Sequence, residues 1–211
     1  MIGLKPYNLA NRQQELKEQM YKTLGQQILN GDLKVESWMI DLDPSRIKVR
    51  KIDGNLDCRF LDLTSLPVWF QSIEEVTGWF DCRNNRLTSL EGGPQTVGGW
   101  FDCSDNKLTS LEGGPQTVGG SFWCDNNRLT SLKGSPQTVG GSFLCRNNQL
   151  TSLEGSPQTV GGPFICHNNQ LTSLEGLPKE IGRDVWCYNN LKLFSEMDIR
   201  LDTIIGNKMI F

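Results

Sequence analysis

The chain has 211 residues, of which 37% are hydrophobic, with 22 glycines, 9 prolines, 7 cysteines and one histidine. That hydrophobic share is low for a globular domain, so a thin, elongated core is expected rather than a single thick one. The 21 basic and 24 acidic residues leave a formal net charge of -3. That balance is not the footprint of a general nucleic-acid binder, and one histidine excludes His-cluster metal sites within a single chain. No apolar run approaches a membrane span, and Met1 to Pro6 is followed by no apolar signal segment, so a cytoplasmic protein is expected.

Residues 1–53 are not repetitive. Asn8 to Leu29 reads as an amphipathic helix, with Leu9, Leu16, Met20, Leu24 and Ile28 near one face and Asn30-Gly31 as its stop. Trp38 to Leu42 and Ile47 to Ile52 read as strands around the turn Asp43-Pro44-Ser45, and Asp53-Gly54 reads as a turn into a repetitive region.

From residue 54 the cysteines set a ruler. Cys58 and Cys82 are followed by Cys103, Cys124, Cys145, Cys166 and Cys187 at a constant interval. A fixed period of this size means a repeat array, not a disulfide framework or a metal site. Leu-Thr-Ser-Leu recurs from Leu63, Leu87, Leu108, Leu129, Leu150 and Leu171, and Pro-Gln-Thr-Val-Gly-Gly from Pro94, Pro115, Pro136 and Pro157. Around Cys82, Cys103, Cys124, Cys145 and Cys166 the unit reads Phe-x-Cys-x-x-Asn-x-Leu-x-x-Leu, the pattern of a leucine-rich repeat core with Cys in the second strand position. Each unit predicts one short strand, about seven over residues 54–192. Alternation sends Phe122 and Cys124 inward and Ser121, Trp123 and Asp125 outward.

Asn85, Asn106, Asn127, Asn148, Asn169 and Asn190 should turn inward and satisfy backbone groups where the strands end. The cysteines read as small hydrophobes in a tight interior, in a reducing compartment, rather than as a redox or metal wire. The Gly- and Pro-rich segment opposite the strands is hostile to a helix. It predicts an extended, turn-like convex side with Val97, Val118, Val139, Val160 and Ile181 as inward pegs. The first spacer, Leu66 to Gly78, lacks that text and suits one helical turn.

Residues 193–211 are atypical again. Leu193, Phe194, Met197, Ile199, Leu201, Ile204, Ile205, Met209, Ile210 and Phe211 supply apolar cover for a C-terminal cap, a helix and a final strand. An apolar tail also suits dimerisation. Because a terminal solenoid unit exposes core, residues 1–53 read as the N-terminal cap, the alternative being a separate partner-binding helix.

The unit, with Leu-Thr-x-Leu and Pro-x-x-Val/Ile, resembles the short leucine-rich repeats of bacterial type III-secreted effectors. It is similar also to small leucine-rich repeat proteins of tailed phages. The resemblance covers roughly residues 54–192. It implies a repeat solenoid with a short-stranded parallel sheet and a recognition role, with a host protein as target and the host cytoplasm as location. The ubiquitin-ligase domain often attached to those effectors has no counterpart here, because every cysteine is a repeat cysteine.

No P-loop, GxGxxG after a strand, GxSxG or HExxH occurs, so no catalytic residues, metal or cofactor are expected. His167, just after Cys166, reads as an exposed residue. Asp57, Asp81 and Asp102 occupy one outward position of successive strands, which sets like charges close together. They read as solvated, as contacts for a basic partner, or as a cation site.

Comparing copies is more informative. The structural positions barely change, whereas the outward ones change freely. Trp79, Trp100, Trp123 and Trp186 all fall on the outward strand face, and Trp123, Leu144, Ile165 and Trp186 form an apolar row. Charged and aromatic residues rim it: Asp81, Arg83, Asp102, Arg146, His167 and Tyr188. Such a stripe marks a protein-binding site. The expected function is therefore non-enzymatic protein recognition, as an adaptor or inhibitor. A self-assembling or virion-associated structural protein is the alternative, as is cover of the stripe by the chain's own tail.

Overall fold

The computed structural model describes residues 9–195, 198, 203–206 and 209–210. It is a parallel β-solenoid preceded by one helix, Leu9–Leu24. Each coil contributes two short strands, and these stack into two nine-stranded sheets, every neighbouring pair parallel. One sheet carries the Phe-x-Cys strands: Leu56–Asp57, Phe80–Asp81, Phe101–Asp102, Phe122–Trp123, Phe143–Leu144, Phe164–Ile165 and Val185–Trp186. The other carries the Thr-Val segments, such as Thr117–Val118 and Thr138–Val139. The side opposite the Phe sheet is itself a sheet of short strands. Its pairing into a second sheet is what the Gly-Pro text left unread: two consecutive extended residues at a fixed period suffice to hydrogen-bond coil to coil.

The core lies between the sheets and is one layer of side chains thick. Phe80, Phe101, Phe122, Phe143 and Phe164 are buried and neighbouring rings lie 5.1–5.4 Å apart. Val97, Val118, Val139, Val160 and Ile181 face them, and all seven cysteines are buried free thiols. Burial pushes the Cys124 thiol well above its ordinary range, with the neighbouring thiols and carboxylates acting in the same direction. A packing role for these residues follows, since reactivity requires thiolate.

Coil-to-coil contact is set by glycine and asparagine. A Cβ on Gly140 would stand 2.0 Å from the Gly119 carbonyl oxygen, so the backbones touch where a side chain cannot fit. The inward asparagines behave as read from the sequence. The Asn127 amide donates to the carbonyls of Cys103, Cys124 and Asp125 at 3.0, 3.2 and 3.1 Å, and its oxygen accepts from the Leu108 N–H at 3.0 Å.

A second ladder, unread in the sequence, runs one residue earlier. Asn84, Asp105, Asn126, Asn147, Asn168 and Asn189 all have φ between 51° and 56°, in the left-handed region that Asn and Asp tolerate best. From Asn126 on, each side chain donates to the one before it at 2.7–2.9 Å.

The N-terminal segment departs from expectation in two places. The helix stops at Leu24, and Gly25 closes it by donating to the Tyr21 carbonyl. Ile28–Asn30 and Leu33–Lys34 are then strands, paired with Lys51–Asp53 and Leu56–Asp57, so the coil begins where the sequence suggested helix. The residues expected as a strand, 38–42, lie in and beyond a 3-10 turn, Ser37–Met39, and a second spans Pro44–Arg46. The spacing explains it: Met39 and Leu42 are the buried positions, three apart, which is a helical rather than an alternating period. Of the stretch 47–52 only its end is strand, within Lys51–Asp53.

Leu24, Met20 and Tyr21 fasten the helix to the core. Arg46 holds it further, donating two hydrogen bonds to Glu18 and lying 3.7 Å above the Tyr21 ring. The first spacer does form a short helical turn, Val68–Ser72, which buries Trp69 and Phe70.

At the other end, Ile204–Ile205 and Met209–Ile210 continue the two sheets. Phe194 is buried, but Leu193 is 86% and Ile204 67% exposed, so these two do not serve as cover. The expected tail helix, and Met197, Ile199, Leu201 and Phe211, lie outside the described residues. Among the described residues no helix is long and apolar enough to cross a membrane.

Candidate functional site

The outer face of the Phe sheet collects all twelve residues singled out from the sequence. Its rows are set by pairing: Asp57, Asp81, Asp102, Trp123, Leu144, Ile165 and Trp186 stand side by side on successive strands. Six spacings of ~4.8 Å make the face roughly 29 Å long.

The aromatic part is more ordered than a row of anchors. Trp79 stacks on Trp100 at 4.8 Å and 5°, and Trp100 on Trp123 at 5.4 Å and 18°. The three indoles form one half-buried stack that crosses from one row of outward positions to the next. Leu144, Ile165 and Trp186 continue it, each partly exposed. The described residues of the tail extend the sheets and do not fold over this face.

The carboxylates are not solvated. Asp81 is fully buried and Asp102 is 2% exposed. The basic groups that relieve their mutual repulsion are the chain's own. Arg59 reaches Asp57 at 3.3 Å and Asp81 at 3.5 Å; Arg83 reaches Asp81 at 3.5 Å and Asp102 at 3.2 Å. The residue after each cysteine thus bridges two rungs, because a long guanidinium side chain spans one strand spacing. Burial still raises the Asp81 carboxyl above its ordinary range, the Arg83 N–H opposing this and the Asp102 charge adding to it. Among the described residues no group of three or more His, Cys, Asp or Glu is placed to hold a metal ion.

Two features escaped sequence reading. Asp125 is buried and engages Arg146, whose N–H and Nε donate to it at 3.1 and 3.3 Å. Burial nevertheless pushes its carboxyl up to about 6, against the opposing pull of Arg146. The available signal was Asp125 followed by Arg146 at the same position of the next repeat.

The second feature corrects an expectation. His167 is only 6% exposed. It lies flat against Tyr188, rings 4.2 Å apart and 10° from parallel, so an outward position is buried by the ring of the next coil. Its Nδ1 and the Trp186 Nε1 are buried and have no hydrogen-bond partner among the described residues. Such an orphaned group costs about 1–3 kcal/mol. Burial lowers the imidazole below its usual range, Arg146 adds to the effect, and a hydrogen bond with Asn168 opposes both.

A separate depression of about 610 Å³ lies on the opposite edge of the coils, lined by Gln137, Ser152, Glu154, Gln158, Glu175 and Lys179. It holds none of the predicted residues and no nucleophile–base pair.

No family model matches the chain, and no curated protein matches it.

Proposed function

We propose that this chain is a leucine-rich-repeat recognition module that binds a protein through the outer face of its Phe sheet. The observation that carries the reading is the uninterrupted run Trp79–Trp100–Trp123–Leu144–Ile165–Trp186 across neighbouring strands, left partly exposed. Packed aromatic and aliphatic side chains held by a backbone ladder lose little freedom on binding, which favours them as anchors. The face is long enough for a partner of ~800 Å² per side.

Arg83, Arg146, Asp81 and Asp102 lie along its edge, where charges orient the partner and set the on-rate. In this reading Asp81 and Asp102 act through Arg83, since both are buried beneath it. The repeats' similarity to those of phage and effector proteins supports a host protein as partner, the host cytoplasm as location and inhibition or adaptation as outcome. No catalytic step is assigned.

The test is affinity capture from host lysate with mass spectrometry, comparing the wild type with Trp123→Ala/Trp186→Ala. Both side chains are partly exposed, and circular dichroism checks that the double variant is folded. The expected result is loss of the captured protein. Capture retained by the folded variant overturns the proposed face. A second reading, self-assembly, is favoured by the exposed Leu193 and Ile204 at the last coils. It predicts concentration-dependent mass in sedimentation or sizing, unaffected by the double variant.

A further inference from the structure

The C-terminal half of the face holds two buried nitrogens with no hydrogen-bond partner among the described residues. Ile165 pairs with Trp186, which places His167 beside Tyr188 and diagonal to Trp186 on the same surface. Cross-strand diagonals of this kind are within reach of aromatic side chains. His167 Nδ1 has no hydrogen-bond partner among the described residues, and the residue is more than nine-tenths buried. The Trp186 Nε1–H is a donor and nothing else.

Arg146 stands on the preceding strand, adjacent through the Asn147 N–H to His167 carbonyl bond at 3.3 Å. Its Nε is committed to Asp125, and its side chain is 44% exposed. Among the described residues, the charged and titratable groups around His167 are Arg146 and, beyond it, Asp125 from the preceding coils, and Tyr188 from the following one.

We propose that Trp186, His167 and Arg146 form a subsite for a carboxylate group, bound together with one proton taken up at His167 Nδ1. In the free protein the imidazole is neutral, with a lone pair on Nδ1. An arriving carboxylate accepts from the Trp186 indole N–H and from the Arg146 guanidinium. The imidazole takes a proton from solvent and donates Nδ1–H to the same carboxylate, so one bound anion satisfies both orphaned nitrogens. Only protons move, and no covalent bond changes. Trp186 and Tyr188 are partly exposed, so rotation of either ring opens the site. The proposal rests on the Phe-sheet face being the recognition surface: it assigns to the partner an Asp, Glu or C-terminal carboxylate seated at this end.

His167 is the one histidine of the sequence, so its imidazole C–H resonances report on the site without overlap. The experiment titrates them by NMR on the whole protein, with acetate as probe, against chloride at equal ionic strength and against acetamide. Saturating acetate is expected to raise the apparent His167 pKa by at least about half a unit, about threefold in proton affinity. Acetate affinity should rise by up to about tenfold per pH unit on acidification across that range. Trp186→Phe, which keeps a ring and removes the N–H, and Arg146→Gln should each abolish most of the acetate response. Arg146→Gln should also raise the His167 pKa in chloride.

No pKa change with acetate, an equal response in both folded variants, or a response to acetamide in place of acetate each overturns the proposal. The measurement needs no protein partner. A null result removes the subsite, whereas failure of the face itself is read separately from the Trp123/Trp186 capture experiment.

Discussion

Asp125→Asn places two opposing effects in direct competition. In the native protein the carboxyl is buried and titrates at about 6, against an ordinary value of 3.8, with desolvation the largest cause and Arg146 opposing it. Between these values the folded state holds a proton that the unfolded chain has released. Stability from this group is therefore present below about pH 4 and is lost as pH rises through about 6. The shift of about 2 units, at 1.36 kcal/mol each, caps the loss at ~3 kcal/mol.

Asparagine, like the protonated carboxyl, keeps an acceptor for one of the two Arg146 donors, which meet different oxygens of Asp125. The guanidinium it leaves without a counter-charge is 44% exposed, so water takes over and the forfeited ion pair is worth only ~0–1 kcal/mol. Urea unfolding of both proteins from pH 4 to pH 8 supplies the comparison, and the contributions of all other carboxylates cancel in the difference. The variant should match the wild type near pH 4 and exceed it by ~2–3 kcal/mol above pH 7. A variant less stable than the wild type at pH 7 would refute the reasoning, because the Asp125–Arg146 pair would then outweigh the desolvation of its acid.

Further outcomes rest on the same geometry. Asn127→Ala removes the partner of three carbonyls and one N–H and should cost ~2–4 kcal/mol in urea unfolding, whereas Asn190→Ala, in the part-buried last copy, should cost clearly less. Gly140→Ala drives a methyl into the Gly119 carbonyl and should lower stability by ~3 kcal/mol or more, with the melting temperature as readout. The seven thiols, all buried, should react with a disulfide reagent at least ~100-fold more slowly in the native than in the denatured protein. One fast-reacting cysteine would break the packing account.

Repetition made much of this molecule legible. A constant cysteine interval sets coil length, and recurring Phe, Cys, Leu, Asn and Val positions name the inward faces directly, because a buried rung tolerates few residue types. The outward face was equally readable as a list of residues, since its positions are those that vary. Its state was not. Asp81 reads as exposed by alternation, yet it is buried because Arg59 and Arg83 close over it from adjacent coils. His167 reads as exposed for the same reason, and Tyr188 covers it. Side chains from strands ~4.8 Å apart shield one another, and period alone carries no information on how long neighbours fold down.

The chain ends were harder still. With no second copy to compare, Ile28 and Leu29 looked like the end of a helix, although pairing with Lys51 and Ile52 makes them strand. Local propensity yields there to a hydrogen-bond partner more than twenty residues away.

Period and alternation are enough to specify the solenoid, its coil length, its inward ladders and the face on which variable aromatic residues gather. Packing in three dimensions makes the opposite side a second sheet, buries the acids under the chain's own arginines, and leaves His167 and Trp186 with nitrogens that have no partner among the described residues. The division has one physical cause: which residues point inward is set within a coil, whereas which outward groups meet is set between coils.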